Sequence, residues 1–291
     1  MRRSVQIKGI AILVLLVLTL CIWYAALRED TRGLLTVSFL DVGQGDSIFI
    51  QAPSGRQVLI DGGPNTGVLR ELARVVPWYD RSIDVVIPTH PDADHISGLI
   101  DVLARYKVDT IVHSSVEGDT KTFAAFNKAM ADEYAREIIA VRGQIVDLGS
   151  TGSPQAAHAY LEILSPDRPV PRVDTNDGCV VIRLVYGATA FMLPCDAPQS
   201  IENYLVTLGT STLKSNVLKA GHHGSKTSSS LLFLGYVAPE YGVYSRGCDN
   251  KYGHPSQQTI DTFTRFDIPT LDTCKNGTVT FVSDGQTVRR N

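Results

Sequence analysis

The sequence predicts an α/β fold in which two mixed sheets pack face to face, helices cover their outer faces, and one transmembrane helix precedes the domain. Three observations support this prediction. Short strand-like runs are interspersed with helix-like runs along most of the 291 residues. A long apolar stretch lies near the N-terminus. A cluster of metal-ligating residue types sits between a strand-like and a helix-like run.

The N-terminal segment has the composition of a membrane span. Basic residues occur within residues 1–9, and residues 10–27 are apolar or aromatic except for Thr19. At 1.5 Å per residue this stretch covers roughly 27 Å, close to the thickness of a bilayer's hydrocarbon core. The basic flank should stay cytoplasmic, which places the domain outside. A cleaved signal peptide, giving a secreted protein, is the alternative, but residues 23–26 make a poor cleavage site and Leu20 before Cys21 is too bulky for a lipobox.

The rest of the chain reads as a short tether, residues 28–33, followed by one domain, residues 34–291. With 44% hydrophobic residues, the chain can bury a substantial core. Strand-like runs cover residues 35–41, 48–50, 58–60, 84–88, 110–112, 180–185, 190–193 and 241–245. Helical spacing of apolar residues covers 68–75, 96–106 and 123–134. Turns are predicted at residues 43–45, at 53–55 and at Gly187.

Four potential metal ligands fall within six residues: His90, Asp92, Asp94 and His95. They follow the predicted strand 84–88 and precede a predicted helix, so they lie on a loop at the C-terminal end of a strand, where open α/β sheets bind their ligands. Imidazole and carboxylate suit Zn²⁺, Mn²⁺ or Fe²⁺. Because one ion rarely takes four ligands from one loop, we predict two metals. The alternative is a solvated, charged helix N-terminus.

These residues resemble the His-x-His-x-Asp-His signature of the metallo-β-lactamase fold, with Asp92 in place of the second His. Residues 59–63, 191–196 and 218–228 resemble that fold's further motifs, in the same order. Together with Asp-Val-Gly-Gln-Gly-Asp-Ser at 41–47 and Asn-Lys-Tyr-Gly-His-Pro at 250–255, they look like the extracytoplasmic hydrolase domain of the ComEC competence family. The resemblance runs from about residue 35 to the C-terminus.

The resemblance implies a ligand set for two divalent ions. His90 and Asp92 would hold one ion, Asp94 and His95 the other, and Asp196 would bridge them. Asp61 would orient the loop from behind. Taken alone, Asp196 is equally compatible with a helix N-cap.

Two further positions decide the rest of this set. Of the adjacent pair His222 and His223, we assign His223 as the late ligand and let His222 face the substrate. The family's third-motif His is absent, and Asn176 would supply a weaker oxygen ligand there. This oxygen-rich first site favours Mn²⁺ over Zn²⁺, or stays partly empty.

Two residues are candidates for contact with the substrate in addition to His222. Lys226 would neutralise a phosphate oxygen, and His254 would protonate the departing oxygen. The alternatives are a solvated loop charge for Lys226 and a turn-stabilising role for His254 before Pro255. We interpret His113 and His158, outside the motifs, as structural or surface residues.

Four further cysteines lie in the domain that the predicted topology places in an oxidising compartment: Cys179, Cys195, Cys248 and Cys274. No two of them form a Cys-x-x-Cys pair, so a structural zinc knuckle is not expected. In the resembled fold, Cys248 and Cys274 follow strands in neighbouring regions and form the better candidate disulfide; free buried cysteines are the alternative.

The functional hypothesis is a membrane-anchored, metal-dependent phosphodiesterase that acts on DNA outside the cytoplasmic membrane and needs no organic cofactor. The formal charge of −3 argues against a broadly basic nucleic-acid clamp. With one predicted membrane segment, the chain would work beside a separate DNA-uptake channel or as a scavenging nuclease. The alternatives are hydrolysis of envelope phosphodiesters, such as choline phosphate or teichoic-acid esters, and a degenerate metal-binding module.

Overall fold

The computed structural model describes residues 2–29, 33–150, 157–209 and 213–291. The first element is helix α1 (Arg2–Glu29), within which Gln6–Tyr24 is long and apolar enough to cross a membrane. The helix extends beyond the predicted 10–27 at both ends. Residues 28 and 29 of the predicted tether are therefore helical, and residues 30–32 lie outside the described residues.

The domain contains two mixed sheets. The first has the strand order β15-β14-β1-β2-β3-β4-β5-β6, and the second has the order β13-β12-β11-β10-β9-β8-β7. Their bounds are β1 (Leu35–Phe39), β2 (Ile48–Gln51), β3 (Gln57–Ile60), β4 (Ser82–Ile87), β5 (Lys107–His113), β6 (Arg136–Ile139), β7 (Ile145–Gly149), β8 (Ala159–Ser165), β9 (Val181–Tyr186), β10 (Thr189–Leu193), β11 (Val217–Lys219), β12 (Tyr241–Tyr244), β13 (Thr270–Asp272), β14 (Val279–Ser283) and β15 (Val288–Arg290).

Helices cover both outer faces, as predicted. They are α2 (Gly67–Val75), α3 (Ala93–Leu103), α4 (Lys121–Glu133), α5 (Gln199–Leu208), α6 (Leu231–Val237), α7 (Gln257–Arg265) and the short α8 (Thr273–Asn276). Side chains alternate along the strands: Val58 and Ile60 face the core between the sheets, whereas Leu59 faces α2 and α3. The second sheet repeats this pattern, with Ile182 inward and Val181 outward under its own helices.

Strand direction determines where the motif loops meet. Strands β3 to β6 are parallel in one sheet, and β10 to β13 are parallel in the other. Loops leaving the C-terminal ends of β3, β4, β10 and β11 carry Asp61, His90, Asp196 and His223. The two sheets bring these loops together at one end of the sandwich, where α/β folds place their sites.

A disulfide joins Cys248, after β12, to Cys274 in α8, with the two Cα atoms 5.0 Å apart. The free-cysteine alternative is therefore wrong for this pair. Cys179 and Cys195 are free and buried.

Candidate metal centre

The loop between β4 and α3 presents the first group of ligand candidates. His90 is buried and lies on this loop, after the end of β4 at Ile87. Asp92 occupies the N-cap position of α3, but its carboxylate makes no capping hydrogen bond. Instead, Asp92 Oδ2 lies 3.6 Å from His90 Nε2. His90 and His95 are both buried, whereas in a solvated helix N-terminus both side chains would point into water.

Four ligand atoms converge at the centre of the site. His223 Nε2 lies 3.4 Å from Asp94 Oδ2 and 3.3 Å from Asp196 Oδ2. His95 Nε2 lies 3.4 Å from the same Asp196 oxygen. His90, His95 and Asp196 form a second group whose ligand atoms lie within 4.8 Å of one another. Asp196 and His95 thus belong to both groups, and of the two only the Asp196 carboxylate has two oxygens with which to contact two ions.

The three buried imidazoles all present an unpartnered Nε2 to this centre. Within the described part of the chain, Nε2 of His90, His95 and His223 is buried and has no hydrogen-bond partner. Buried polar atoms are rarely left unsatisfied without a reason. A cation bound between these nitrogens and the carboxylates would satisfy all three.

Hydrogen bonds at the opposite ring nitrogen fix the tautomers. His95 Nδ1 lies 2.8 Å from Asp61 Oδ2, and His223 Nδ1 lies 2.9 Å from the Ser245 carbonyl oxygen. Both oxygens only accept, so each Nδ1 carries the proton and each Nε2 offers a lone pair. Thr89 Oγ1 donates to Asp61 Oδ2 at 2.7 Å and therefore accepts from His90 Nδ1 at 3.1 Å. All three rings thus have the tautomer that binds a metal through Nε2.

Asp61 lies behind this centre and contacts both the His95 ring and Thr89. Its carboxylate accepts from the Thr89 backbone N–H at 2.8 Å in addition to the Thr89 hydroxyl and the His95 ring. Two glycines allow the neighbouring loops to approach so closely. A Cβ on Gly98 would lie 2.0 Å from the Gly62 carbonyl oxygen, and one on Gly45 would lie 2.1 Å from that of Asp94.

Sequence reasoning missed two residues of the site, Asp46 and Lys219. Lys219 is fully buried; its ammonium contacts Asp46 Oδ2 and lies 3.1 Å from the Cys195 carbonyl oxygen and 3.4 Å from Asp196 Oδ1. Asp46 Oδ1 lies 3.3 Å from His223 Nδ1. The available signals were an acid inside the motif at 41–47 and a lysine ending an apolar strand, since lysine is almost never buried without a partner.

The electrostatics of the centre follow from this crowding. Burial lowers the pKa of His95 and His223, but Asp196, together with Asp61 at His95 and Asp46 at His223, raises both above the ordinary histidine value. Burial raises the pKa of Asp196, but His223, His95 and Lys219 hold it well below its usual range. Five carboxylates (Asp46, Asp61, Asp92, Asp94 and Asp196) face one ammonium, that of Lys219. The surplus negative charge favours cations.

The part of the centre around His90 has one imidazole of its own. Its described ligand candidates are His90 and Asp92, and it shares His95 and Asp196 with the group that contains Asp94 and His223. On the loop that lacks the His, Asn176 Oδ1 is buried and has no hydrogen-bond partner among the described residues, and Thr175 contacts Asp92. This side of the centre therefore offers mainly oxygen ligands.

The substrate-facing candidates lie at the rim. His222 is 29% exposed, and its Nε2 lies 3.6 Å from Asp196 Oδ2. The His254 ring lies 5.8 Å from the His222 ring and stacks on Tyr252. Burial lowers the pKa of both His222 and His254. Lys226 is exposed on the same loop as His222. His113 contacts Ser114 and Glu137, and His158 is exposed near Asp147, both outside the described ligand groups.

Comparison with known proteins gives the relationship of the chain. It is 29% identical to ComE operon protein 3 of Bacillus subtilis over 84% of its length, 26% identical to Recombination protein 2 of Haemophilus influenzae over 90%, and 29% identical to Competence protein ComA of Neisseria gonorrhoeae over 84%. It spans about a third of the length of these relatives, from 31% to 32%. The crystal structure of CmlA, a diiron β-hydroxylase from Streptomyces venezuelae, shares the fold, with a TM-score of 0.50 and 11% identity over 82% of this chain and 52% of CmlA.

A family model provides the remaining evidence, and it covers most of the domain. The model described as the metallo-beta-lactamase superfamily matches residues 40–247, which include the ligand candidates of the loop between β4 and α3, Asp196 and His223. Because this match exceeds half of the chain and coincides with the αββα sandwich and its metal-ligand loops, the chain belongs to the metallo-β-lactamase superfamily.

Proposed function

We propose that this protein is a membrane-anchored phosphodiesterase that uses two divalent metal ions and cleaves DNA outside the cytoplasmic membrane. One observation carries the metal chemistry: three buried imidazoles, each with its Nε2 unpartnered and its tautomer set by Nδ1, surround a carboxylate shared by two ligand groups. The competence-type names of the relatives support DNA as the substrate. The described disulfide between Cys248 and Cys274 supports an oxidising compartment.

In this proposal each residue has a defined task. Asp94, His95 and His223 would hold one ion, His90 and Asp92 the other with help from Asn176, and Asp196 would bridge the two. When bound, the ions would supply Lewis acidity and an activated water at neutral pH. Asp61 keeps the His95 ring oriented, and Lys219 fixes one oxygen of Asp196 so that the other faces the ligand histidines.

The residues at the rim would act on the phosphate itself. His222 would donate a hydrogen bond to a non-bridging oxygen, Lys226 would neutralise its charge, and His254 would protonate the leaving oxygen. Although burial lowers the pKa of His254, the negative charge of a bound phosphodiester would favour its protonated form.

A substrate panel tests the proposal. Full-length protein, stripped with chelator and reloaded with Mn²⁺ or Zn²⁺, is assayed on single-stranded DNA, bis(p-nitrophenyl) phosphate and p-nitrophenyl phosphorylcholine. Cleavage of DNA is expected. Hydrolysis of the choline ester without DNA cleavage would favour the envelope-phosphodiester alternative, which the formal charge of −3 keeps open. Metal binding without any hydrolysis would indicate a degenerate module.

We expect severalfold higher activity with Mn²⁺ than with Zn²⁺, because Asp92 and Asn176 replace nitrogen ligands with oxygen and harder ions prefer oxygen. Titration of chelator-stripped protein with each ion, with bound metal measured alongside the rate, checks this. Higher activity with Zn²⁺ at two bound ions per chain would refute the ligand argument.

The leaving-group role of His254 makes a separate prediction. His254→Ala should slow cleavage of DNA on the order of 10²–10⁴-fold, since a general acid matters when the departing oxygen needs a proton. Hydrolysis of p-nitrophenyl esters should change little, because p-nitrophenolate leaves unaided. His222→Ala should slow both substrates and serves as the comparison. Equal loss on both substrates in His254→Ala would return this residue to a structural role.

A further inference from the structure

A cavity of about 540 Å³ lies beside the loop between β4 and α3 that carries His90 and Asp92, hereafter the metal loop. This volume is typical of small-molecule sites. Its walls come from the metal loop, the ends of β5 and β6, and one face of α4; they include His90, Pro91, His113, Phe123, Met130 and Glu137. The cavity therefore sits at the same C-terminal strand edge as the metal centre, two strands further along the sheet.

Contacts connect the cavity directly to the metal loop. A Cβ placed on Gly118 would lie 2.9 Å from Phe123 Cγ and 3.0 Å from Pro91 Cβ, so the Phe123 ring and Pro91 approach each other across this glycine. Pro91 stands between the ligand candidates His90 and Asp92. A group bound against Phe123 would thus adjoin a phosphate held at the centre.

The same wall is tied to the loop that carries Asn176. Ser114 Oγ donates to the Gly178 carbonyl oxygen at 2.6 Å. The Glu117 backbone N–H donates to the Pro171 carbonyl oxygen at 3.1 Å. The cavity and the oxygen-rich side of the centre thus share a wall, and the wall has a fixed position relative to the centre.

The chemistry of the lining selects the class of occupant. The wall is mainly apolar, with the Phe123 ring half-buried; its carboxylates are those of Glu117 and Glu137, and Glu137 Oε2 lies 3.9 Å from His113 Nε2. Carboxylates repel phosphate, so the phosphate remains at the metal centre. A flat, uncharged group with N–H donors on its edge fits: its face would pack on Phe123 and its edge would donate to Glu137, whose side chain is 47% exposed.

We propose that this cavity binds the nucleoside adjoining the scissile phosphate, and that Phe123 provides the surface on which the base stacks. The inference rests on the proposed phosphodiesterase function and deepens it, because it makes the substrate a nucleotide rather than a choline phosphate. Phe123 is then a specificity-determining residue that takes no part in the metal chemistry.

The test uses three substrates that share p-nitrophenolate as the leaving group: the p-nitrophenyl esters of thymidine 5′-phosphate, methyl phosphate and phosphorylcholine. Wild-type protein should prefer the thymidine ester. Phe123→Ala should lower kcat/KM for the thymidine ester about tenfold, the equivalent of about 1.4 kcal/mol and typical of one lost base stack. In the same variant, kcat/KM for the methyl ester should change less than about twofold. Phe123→Trp should retain the preference for the thymidine ester.

Phe266→Ala is the matched control, because Phe266 is an exposed phenylalanine outside the cavity lining. Glu137→Ala, at a half-exposed position, gives a second variant if Phe123→Ala unfolds. It should also lower kcat/KM for the thymidine ester alone. An equal effect of Phe123→Ala on all esters, or none, would overturn the inference. A Phe123-dependent preference for the choline ester would identify a choline site instead.

Failure of the proposed function gives a different result, since either no ester or only the choline ester would then be hydrolysed with either metal. In that case calorimetric titration of full-length protein with thymidine 5′-monophosphate tests the cavity alone. Binding that weakens about tenfold in Phe123→Ala would support the nucleoside site, and no binding to wild-type protein would overturn it.

Discussion

Asp94→Ala is expected to lower metal-dependent hydrolysis by about 10³-fold or more while leaving the fold intact. The side chain is 33% exposed, and its described ion-pair contact is with His223 Nε2 at 3.4 Å, so it is a ligand candidate and contributes little to packing. Loss of Lewis-acid stabilisation costs several kcal/mol at the transition state, and about 4 kcal/mol corresponds to about 10³-fold in rate. Alanine suits the first turn of α3.

Asp101→Ala is the matched control, because Asp101 lies on the same helix and outside the described ligand groups. Activity on DNA, bound metal and the thermal midpoint in the presence of chelator should be measured for both variants. The Asp101 variant should behave as wild type. Full activity of the Asp94 variant at saturating metal would remove Asp94 from the site.

Lys219→Met should have the largest effect on stability. The ammonium is buried among Asp46, Asp196 and the Cys195 carbonyl oxygen, so its removal leaves buried carboxylates uncompensated. Removing one partner of a buried ion pair typically costs about 3–5 kcal/mol. The free energy of unfolding of the metal-free protein should fall by about this amount.

The double variant Lys219→Met/Asp46→Asn separates charge from packing. Neutralising both partners removes one uncompensated carboxylate, so the double variant should be more stable than Lys219→Met alone. Denaturant unfolding with chelator present measures all three proteins. A Lys219→Met variant within about 1 kcal/mol of wild type would show that this pair does not hold the centre together.

Sequence could predict the part of the site that is local in the chain. His90, Asp92, Asp94 and His95 lie on one loop between a strand and a helix, and strand direction alone puts them at a sheet edge. The partnership of Asp46 with Lys219 could not be derived in the same way. Asp46 lies on the loop between β1 and β2 of the first sheet and Lys219 ends β11 of the second, so their contact exists only because the two sheets pack face to face.

Burial made some strands predictable but not all of them. Strands β3 and β10 are buried along their whole length and appear as apolar runs, whereas β8, β11 and β14 are also largely buried and were not predicted. Strand β6 was missed because it is exposed at three of its four residues, and β7 because it is exposed at two of five, so neither shows an apolar pattern. The predicted strand 35–41 was too long, since β1 ends at Phe39 where the chain turns toward the centre.

The most direct test of a two-metal DNA phosphodiesterase is a stoichiometric titration. Chelator-stripped full-length protein is titrated with Mn²⁺ while cleavage of a single-stranded oligonucleotide and bound metal are measured in the same samples. We predict that the rate rises until two ions are bound per chain and then becomes constant. A rate that is already maximal at one bound ion, or an oligonucleotide left intact at two, would contradict it.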